Sequence, residues 1–214
     1  AGANTQGASS IAIGHTAGAS YQGQTSVAIG YNTGTYTQGA NAVALGTNAG
    51  QFSQGNSSIA IGNSAGKSYQ STNSVAIGPN AGAGTQGATA VAIGSGSGQA
   101  TQGASSIAIG SSAGQTLQGA SSVAIGPNAG AGTQGGTAVA IGSGSGQATQ
   151  GANTVAIGNS AGQTSQGTNS IAIGRNSGSS TQNSTSIAIG QNSGQTYQGQ
   201  YSIAIGKDAG ANTQ

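Results

Sequence analysis

Only five side chains in this sequence could carry acid, base or metal chemistry: His15, Lys67, Arg175, Lys207 and Asp208. Proton transfer needs an acid or base within hydrogen-bond reach of the reacting group, and covalent catalysis needs a nucleophile with an activating partner. His15 and Asp208 lie at opposite ends of the sequence, there is no Glu, and Ser and Thr are abundant without a base to activate them. Paired carboxylates for glycoside hydrolysis are missing. A calcium-binding β-roll requires an Asp ladder in its turns, which one Asp cannot supply. The sequence therefore reads as non-catalytic, with no cofactor and no metal. The glycine spacing mimics a phosphate loop only superficially, because Gly recurs throughout, 43 times in 214 residues.

The same composition narrows the partners. A net charge of +2, spread over distant positions, is too weak for a phosphate-binding surface and argues against nucleic acid. No small-molecule substrate is expected. The apolar runs are only a few residues long, so no membrane-spanning segment is read. Cys is absent and disulfides with it.

What must position these residues is a strict repeat. Ile11, Val27, Val43, Ile59, Val75, Val91, Ile107, Val123, Val139, Val155, Ile171, Ile187 and Ile203 follow one another at intervals of 16, giving thirteen repeats in one array over residues 1–214. With this residue as column 1, column 2 is always Ala, column 3 is Ile or Leu45, columns 4 and 8 are always Gly, and column 12 is always Gln. Column 13 is Gly except at Ser71 and Asn183. The hexapeptide AGANTQ stands at 1–6 and again at 209–214, in frame. The array therefore reads as a window of a longer fibre.

A unit of 16 residues is too short for helical-hairpin repeats, and its glycines would break a helix. Columns 1 to 3 are short and rich in β-branched Val and Ile around a central Ala, and are bounded by turn residues, which is a strand signal. Columns 4 to 8 form a corner that accommodates Pro79 and Pro127, columns 9 to 12 a second strand, and columns 13 to 15 a second corner. The prediction is an all-β fold, a parallel β-solenoid of about thirteen rungs. At about 4.8 Å per rung these would extend over roughly 60 Å.

Like residues in one column then stack on each other. Gln22, Gln38, Gln54, Gln70, Gln86, Gln102, Gln118, Gln134, Gln150, Gln166, Gln182 and Gln198 are expected to form an amide ladder, each bonded to the one above and below. Side chains alternate across a strand, so columns 1 and 3 share one face and column 2 the other. The expectation is that Ile and Val fill the interior. The outward face would then be the alanines, Ala28, Ala44, Ala60, Ala76, Ala92, Ala108, Ala124, Ala140, Ala156, Ala172 and Ala188, forming a flat sheet between chains. The alternative places Ala inside and leaves a stripe of Ile and Val outside, itself an association surface. Either orientation predicts a homo-oligomer.

The phrase SVAIG (Ser26–Gly30, Ser74–Gly78, Ser122–Gly126) and the phrase SIAIG (beginning at Ser10, Ser58, Ser106, Ser170, Ser186 and Ser202) resemble the head repeats of YadA-like trimeric autotransporter adhesins. Similar phrases occur in phage and giant-virus fibres. The resemblance implies a β-roll, a homotrimer of identical chains, placement outside the cell, on its surface or on a virion fibre, and adhesion to host matrix or to other cells.

The function expected from the sequence is thus a structural fibre or adhesin shaft. Alternatives are a ligand-binding head that recognises matrix or glycan, and an ice-binding solenoid presenting Thr in column 11. Tyr21, Tyr69 and Tyr197 share that column, and Tyr36 and Phe52, in column 10 of adjacent rungs, are placed to stack. Asn56-Ser57-Ser58 and Asn183-Ser184-Thr185 have the form of glycosylation sequons.

Overall fold

The computed structural model describes all 214 residues and contains no helix. It is an all-β parallel solenoid with about 16 residues per turn and about thirteen turns. Three-residue strands such as Val75–Ile77 alternate along the chain with two-residue strands such as Thr85–Gln86. Each kind pairs only with its own kind, in parallel and in register, so Ala60, Ala76 and Ala92 stand opposite one another, as do Gln70, Gln86 and Gln102. The second strand is shorter than expected, because columns 9 and 10 lie outside it.

The solenoid divides into two compact units, Ala1–Ser105 and Ser106–Gln214. The same rules build both. In the first, Ala44, Ala49, Ala60, Ala65, Ala76, Ala81 and Ala92 form one buried cluster. In the second, Ala108, Ala113, Ala124, Ala129 and Ala140 form one cluster, and Ala156, Ala161 and Ala172 another. These are columns 2 and 7, which face each other across a thin interior.

This corrects the expected direction of the three-residue strands. Ala28, Ala44, Ala60, Ala76, Ala92, Ala108, Ala124, Ala140, Ala156, Ala172 and Ala188 are 0% exposed within their own chain and cannot be a face between chains. Columns 1 and 3 point outward instead, as the repeated pattern of a buried residue flanked by two partly exposed ones shows.

The physical reason is lack of room. Gln86 crosses the interior, and its Nε2 donates to the carbonyl of Val75 on the opposite strand at 2.7 Å. A Cβ built on Gly82 would stand 2.9 Å from Gln86 Oε1 and 3.4 Å from the Ala76 Cβ. Columns 2, 8 and 12 therefore meet at one point, where a methyl group fits and an Ile side chain does not. Gly82 also has φ +53°, which favours glycine on backbone grounds.

The glutamines are corrected in part as well. Gln22 through Gln198 are buried as a ladder requires, yet their main partner is not the next glutamine. In every rung Nε2 donates across the core to the column 1 carbonyl, at distances from 2.6 Å for Gln198 to 2.9 Å for Gln166. A longer contact, 3.4 Å from Gln22 to the Ser26 carbonyl, adds a second acceptor. A bond between neighbouring side chains joins Gln150 to Gln166 at 3.2 Å. The glutamines chiefly join the two sheets within a rung, and the backbone joins one rung to the next.

The corners carry the remaining requirements. A Cβ on Gly78, at φ +121°, would meet the Gly94 backbone at 2.9 Å, so column 4 stacks glycine on glycine. Columns 6 and 15 also take positive φ, mostly in Asn, Ser and Thr: Asn80 at 57°, Asn73 at 58°, Thr89 at 56°. Short polar side chains tolerate this region best. They also bond along the axis: Asn176 Nδ2 donates to Asn192 Oδ1 at 3.2 Å, and Asn192 Nδ2 to Asp208 Oδ1 at 2.8 Å.

Candidate interaction surfaces

The buried hydroxyls are structural. Ser74 Oγ donates to the Ser71 carbonyl and Ser122 Oγ to the Gly119 carbonyl, both at 2.7 Å, which closes the second corner. The ionisable residues do not assemble into a reactive group. His15 stacks on Tyr31 with ring centroids 5.3 Å apart. Lys207 Nζ lies 4.0 Å from Asp208 Oδ2, both well exposed, a geometry that contributes little. Gly62 to Ser68 reads GNSAGKS, one residue short of the phosphate-loop spacing, and it runs through a solenoid corner with no helix after it.

Two outward surfaces remain. The first is the aliphatic one. In each unit the three-residue strands present Val or Ile at column 1 and Ile or Leu45 at column 3 on the outside, rung after rung. Most are half-buried by their own neighbours; Ile93 and Ile109 reach 36% and 37% exposure. Adjacent rungs leave no polar side chain between them on this face. Contiguous apolar surface of this kind marks an association site in soluble proteins. Stacking β-branched residues on themselves also gives good cross-strand packing.

The second surface lies on the outside of the two-residue strands and the adjoining corner of the first unit. Column 13 is Gly23, Gly39 and Gly55 in three successive rungs, so the corner carries no side chain there. Column 11 forms one wall with Tyr21, Thr37, Ser53 and Tyr69, paired in that order along the sheet. Column 14 forms the other with Gln24, Ala40, Asn56 and Thr72. Between them runs a trench, first of about 540 Å³ from Tyr21 to Thr72, then of about 460 Å³ around Tyr69 and Ser71. Next to it, Tyr36 and Phe52 stack at 5.3 Å with an interplanar angle of 12°, as their spacing predicted.

Sequence reasoning named the tyrosines but missed the trench. The signal was available: a glycine column flanked by two columns with larger side chains must leave a furrow along the axis. It was hidden because glycine had been read only as a turn-former.

These features define a class, a repeat protein of the β-solenoid type. The YadA head domain repeat, taken two copies at a time, matches the chain at residues 6–33, 22–49, 70–97 and 165–193. The repeats of this chain resemble YadA head-domain repeats, and the matched segments fall in both units. No curated protein was found to be similar in sequence.

Proposed function

We propose that the chain is the non-catalytic shaft or head of an extracellular fibre, assembled from identical chains through the outward Val and Ile columns. The observation that carries this reading is the two aliphatic rows on each unit, lined up by the 16-residue register and left without a partner inside the chain. Three copies is the number that the likeness to YadA heads brings with it, and placement on a cell or virion surface comes from the same source. Adhesion by repetition suits the composition: a nearly uncharged solenoid is insensitive to salt, and the backbone bonds between rungs distribute an axial pull over many parallel ladders. The ice-binding alternative is disfavoured by column 11, where Tyr21, Tyr69, Leu117 and Tyr197 stand out between the threonines and break any flat plane.

The test is the mass of the native particle by sedimentation equilibrium. The expected value is three times the 19.8 kDa of one chain. A particle that stays at the single-chain mass at high protein concentration rejects assembly through this face.

A further inference from the structure

We infer that the trench of the first unit is a binding site for a neutral, extended oligosaccharide. The inference deepens the adhesin reading by naming a ligand class and a site, and it rests on that reading for its biological sense. Three properties of the trench converge on this ligand.

The first is charge. None of Lys67, His15, Arg175, Lys207 and Asp208 lines the trench. Its outward polar side chains are the amides of Gln24 and Asn56, the hydroxyls of Thr37, Ser53, Ser71 and Thr72, and the phenol hydroxyls of Tyr21 and Tyr69. Such groups discriminate poorly in favour of ions, but they match sugar hydroxyls, which both donate and accept. Asn56 is already oriented for this role: its Oδ1 accepts from the Ala40 N–H at 2.9 Å. That fixes the amide and leaves Nδ2 as the donor toward the trench.

The second is the placement of flat apolar surfaces. Tyr21 and Tyr69 are 51% and 64% exposed, although both belong to regular strands. They stand three rungs apart, about 14 Å at the parallel-strand spacing. A pyranose ring offers an apolar C–H face, and a tyrosine ring with its hydroxyl at the edge suits a partner that is apolar on one side and wet on the other. The two rings would bracket a short chain at either end.

The third is register. Successive wall residues are separated by one rung, about 4.8 Å, which is close to the length one pyranose occupies in an extended β-linked chain. Tyr21, Thr37, Ser53 and Tyr69 would then address successive sugars, while Gln24 and Asn56 contact every second one from the other wall. Glycine in column 13 keeps the floor bare over its first three rungs, where a Cβ on Gly39 would stand 2.5 Å from the Asn56 backbone nitrogen; at the Tyr69 end Ser71 takes the same column and adds a hydroxyl.

A proline-rich peptide in the polyproline conformation is the competing occupant of an aromatic-lined groove. It presents few groups for these amides and hydroxyls to bond, and its rise of about 3.1 Å per residue does not match the rung spacing. The observations favour the sugar.

The experiment is titration of the full chain with tetramers of β-1,4-linked glucose and of β-1,4-linked N-acetylglucosamine, and separately with oligoproline, followed by calorimetry and by tyrosine fluorescence. Saturable binding of at least one tetramer is expected. Tyr21→Ala combined with Tyr69→Ala should weaken it by about tenfold or more, since stacking at two rings is lost. Tyr197→Ala, in the same column of the second unit, should leave it unchanged. Far-ultraviolet circular dichroism of each variant separates loss of binding from loss of fold, and sedimentation separates it from loss of assembly. Wild-type protein that binds neither tetramer overturns the inference. So does binding that survives the double substitution, and so does oligoproline that binds where the sugars do not. The assembly through Val and Ile stands or falls independently, because none of these variants touches that face.

Discussion

Along Val75-Ala76-Ile77 two side chains leave the solenoid and one enters it, and the two directions are populated by opposite rules. Inward, the residue never changes. Column 2 is Ala in every rung, because the space left between Gln of column 12 and Gly of column 8 is one methyl group wide. Outward, the residue varies within a type. Column 1 is either Val or Ile and column 3 accepts Leu45, because an open face tolerates changes in volume. The usual expectation, that the larger apolar residue belongs inside, holds where two sheets pack about 10 Å apart. Here the interior is narrower and holds alanines, glutamines and small hydroxyl residues, and bulk is sent outward.

That contrast explains what could be read from the sequence. The period, the parallel register and the all-β class follow from the spacing of Gly, Ala and Gln, and alternation correctly divides the strand into two faces. Alternation does not say which face is inside. That is decided by thickness, and thickness depends on residues eleven positions away, where Gln86 spans the core to the Val75 carbonyl. Strict constancy of size in column 2 was the available clue, since an interface facing water during assembly would tolerate Ser or Thr. The glutamine column was legible as buried, but its partner was not. A repeat seen only as a stack draws attention to neighbours along the axis, whereas the bond runs across the rung.

The largest effect that distinguishes the two faces is expected from Ala76→Glu. The carboxylate would enter a sealed interior beside Gln86 and Gly82, where the buried side chains are Ala, Gln, Ser and Thr and offer no cation to pair with it. Burying an unpaired charge costs several kcal/mol, comparable with the stability of a whole domain. The expected result is loss of cooperative thermal unfolding in the first unit, measured by circular dichroism. If Ala76→Glu keeps its melting transition and merely separates the chains, Ala faces outward after all.

An intermediate effect is expected at the cross-core bond. Gln86→Met keeps the length and removes the donor to the Val75 carbonyl, together with an Oε1 atom that is buried without a hydrogen-bond partner. The two changes oppose each other. Loss of the bond costs about 1 kcal/mol, and removal of an orphaned acceptor returns part of it. Denaturant unfolding should therefore show a modest loss. A cost as large as that of Ala76→Glu would show that Oε1 has a bonding partner in the core stronger than a Cα–H contact, which is worth about 0.5–1 kcal/mol.

The smallest effect on the fold is expected on the outward side of the same strand, and there it is most informative. Val75→Ser and Ile77→Ser together change two half-buried side chains without touching the Ala76 pocket, the Gln86 bond or the backbone register. Loss of cross-strand packing at two half-buried positions costs about 0.2–1 kcal/mol each, so the β signal should be kept and the melting only modestly lowered. Assembly is another matter. The double variant places two hydroxyls per chain in the middle of the first unit's aliphatic rows, where an apolar partner surface could not satisfy them. The particle mass should fall toward that of one chain at concentrations where the parent is assembled, and the shift should be reversed by raising the concentration. Val75→Ile with Ile77→Leu is the control, because it keeps the face apolar and should keep the mass. If the Ser pair leaves the mass unchanged while the melting collapses, the columns have been assigned to the wrong sides. If both mass and melting hold, the aliphatic rows are not the contact between chains, and assembly must use another surface.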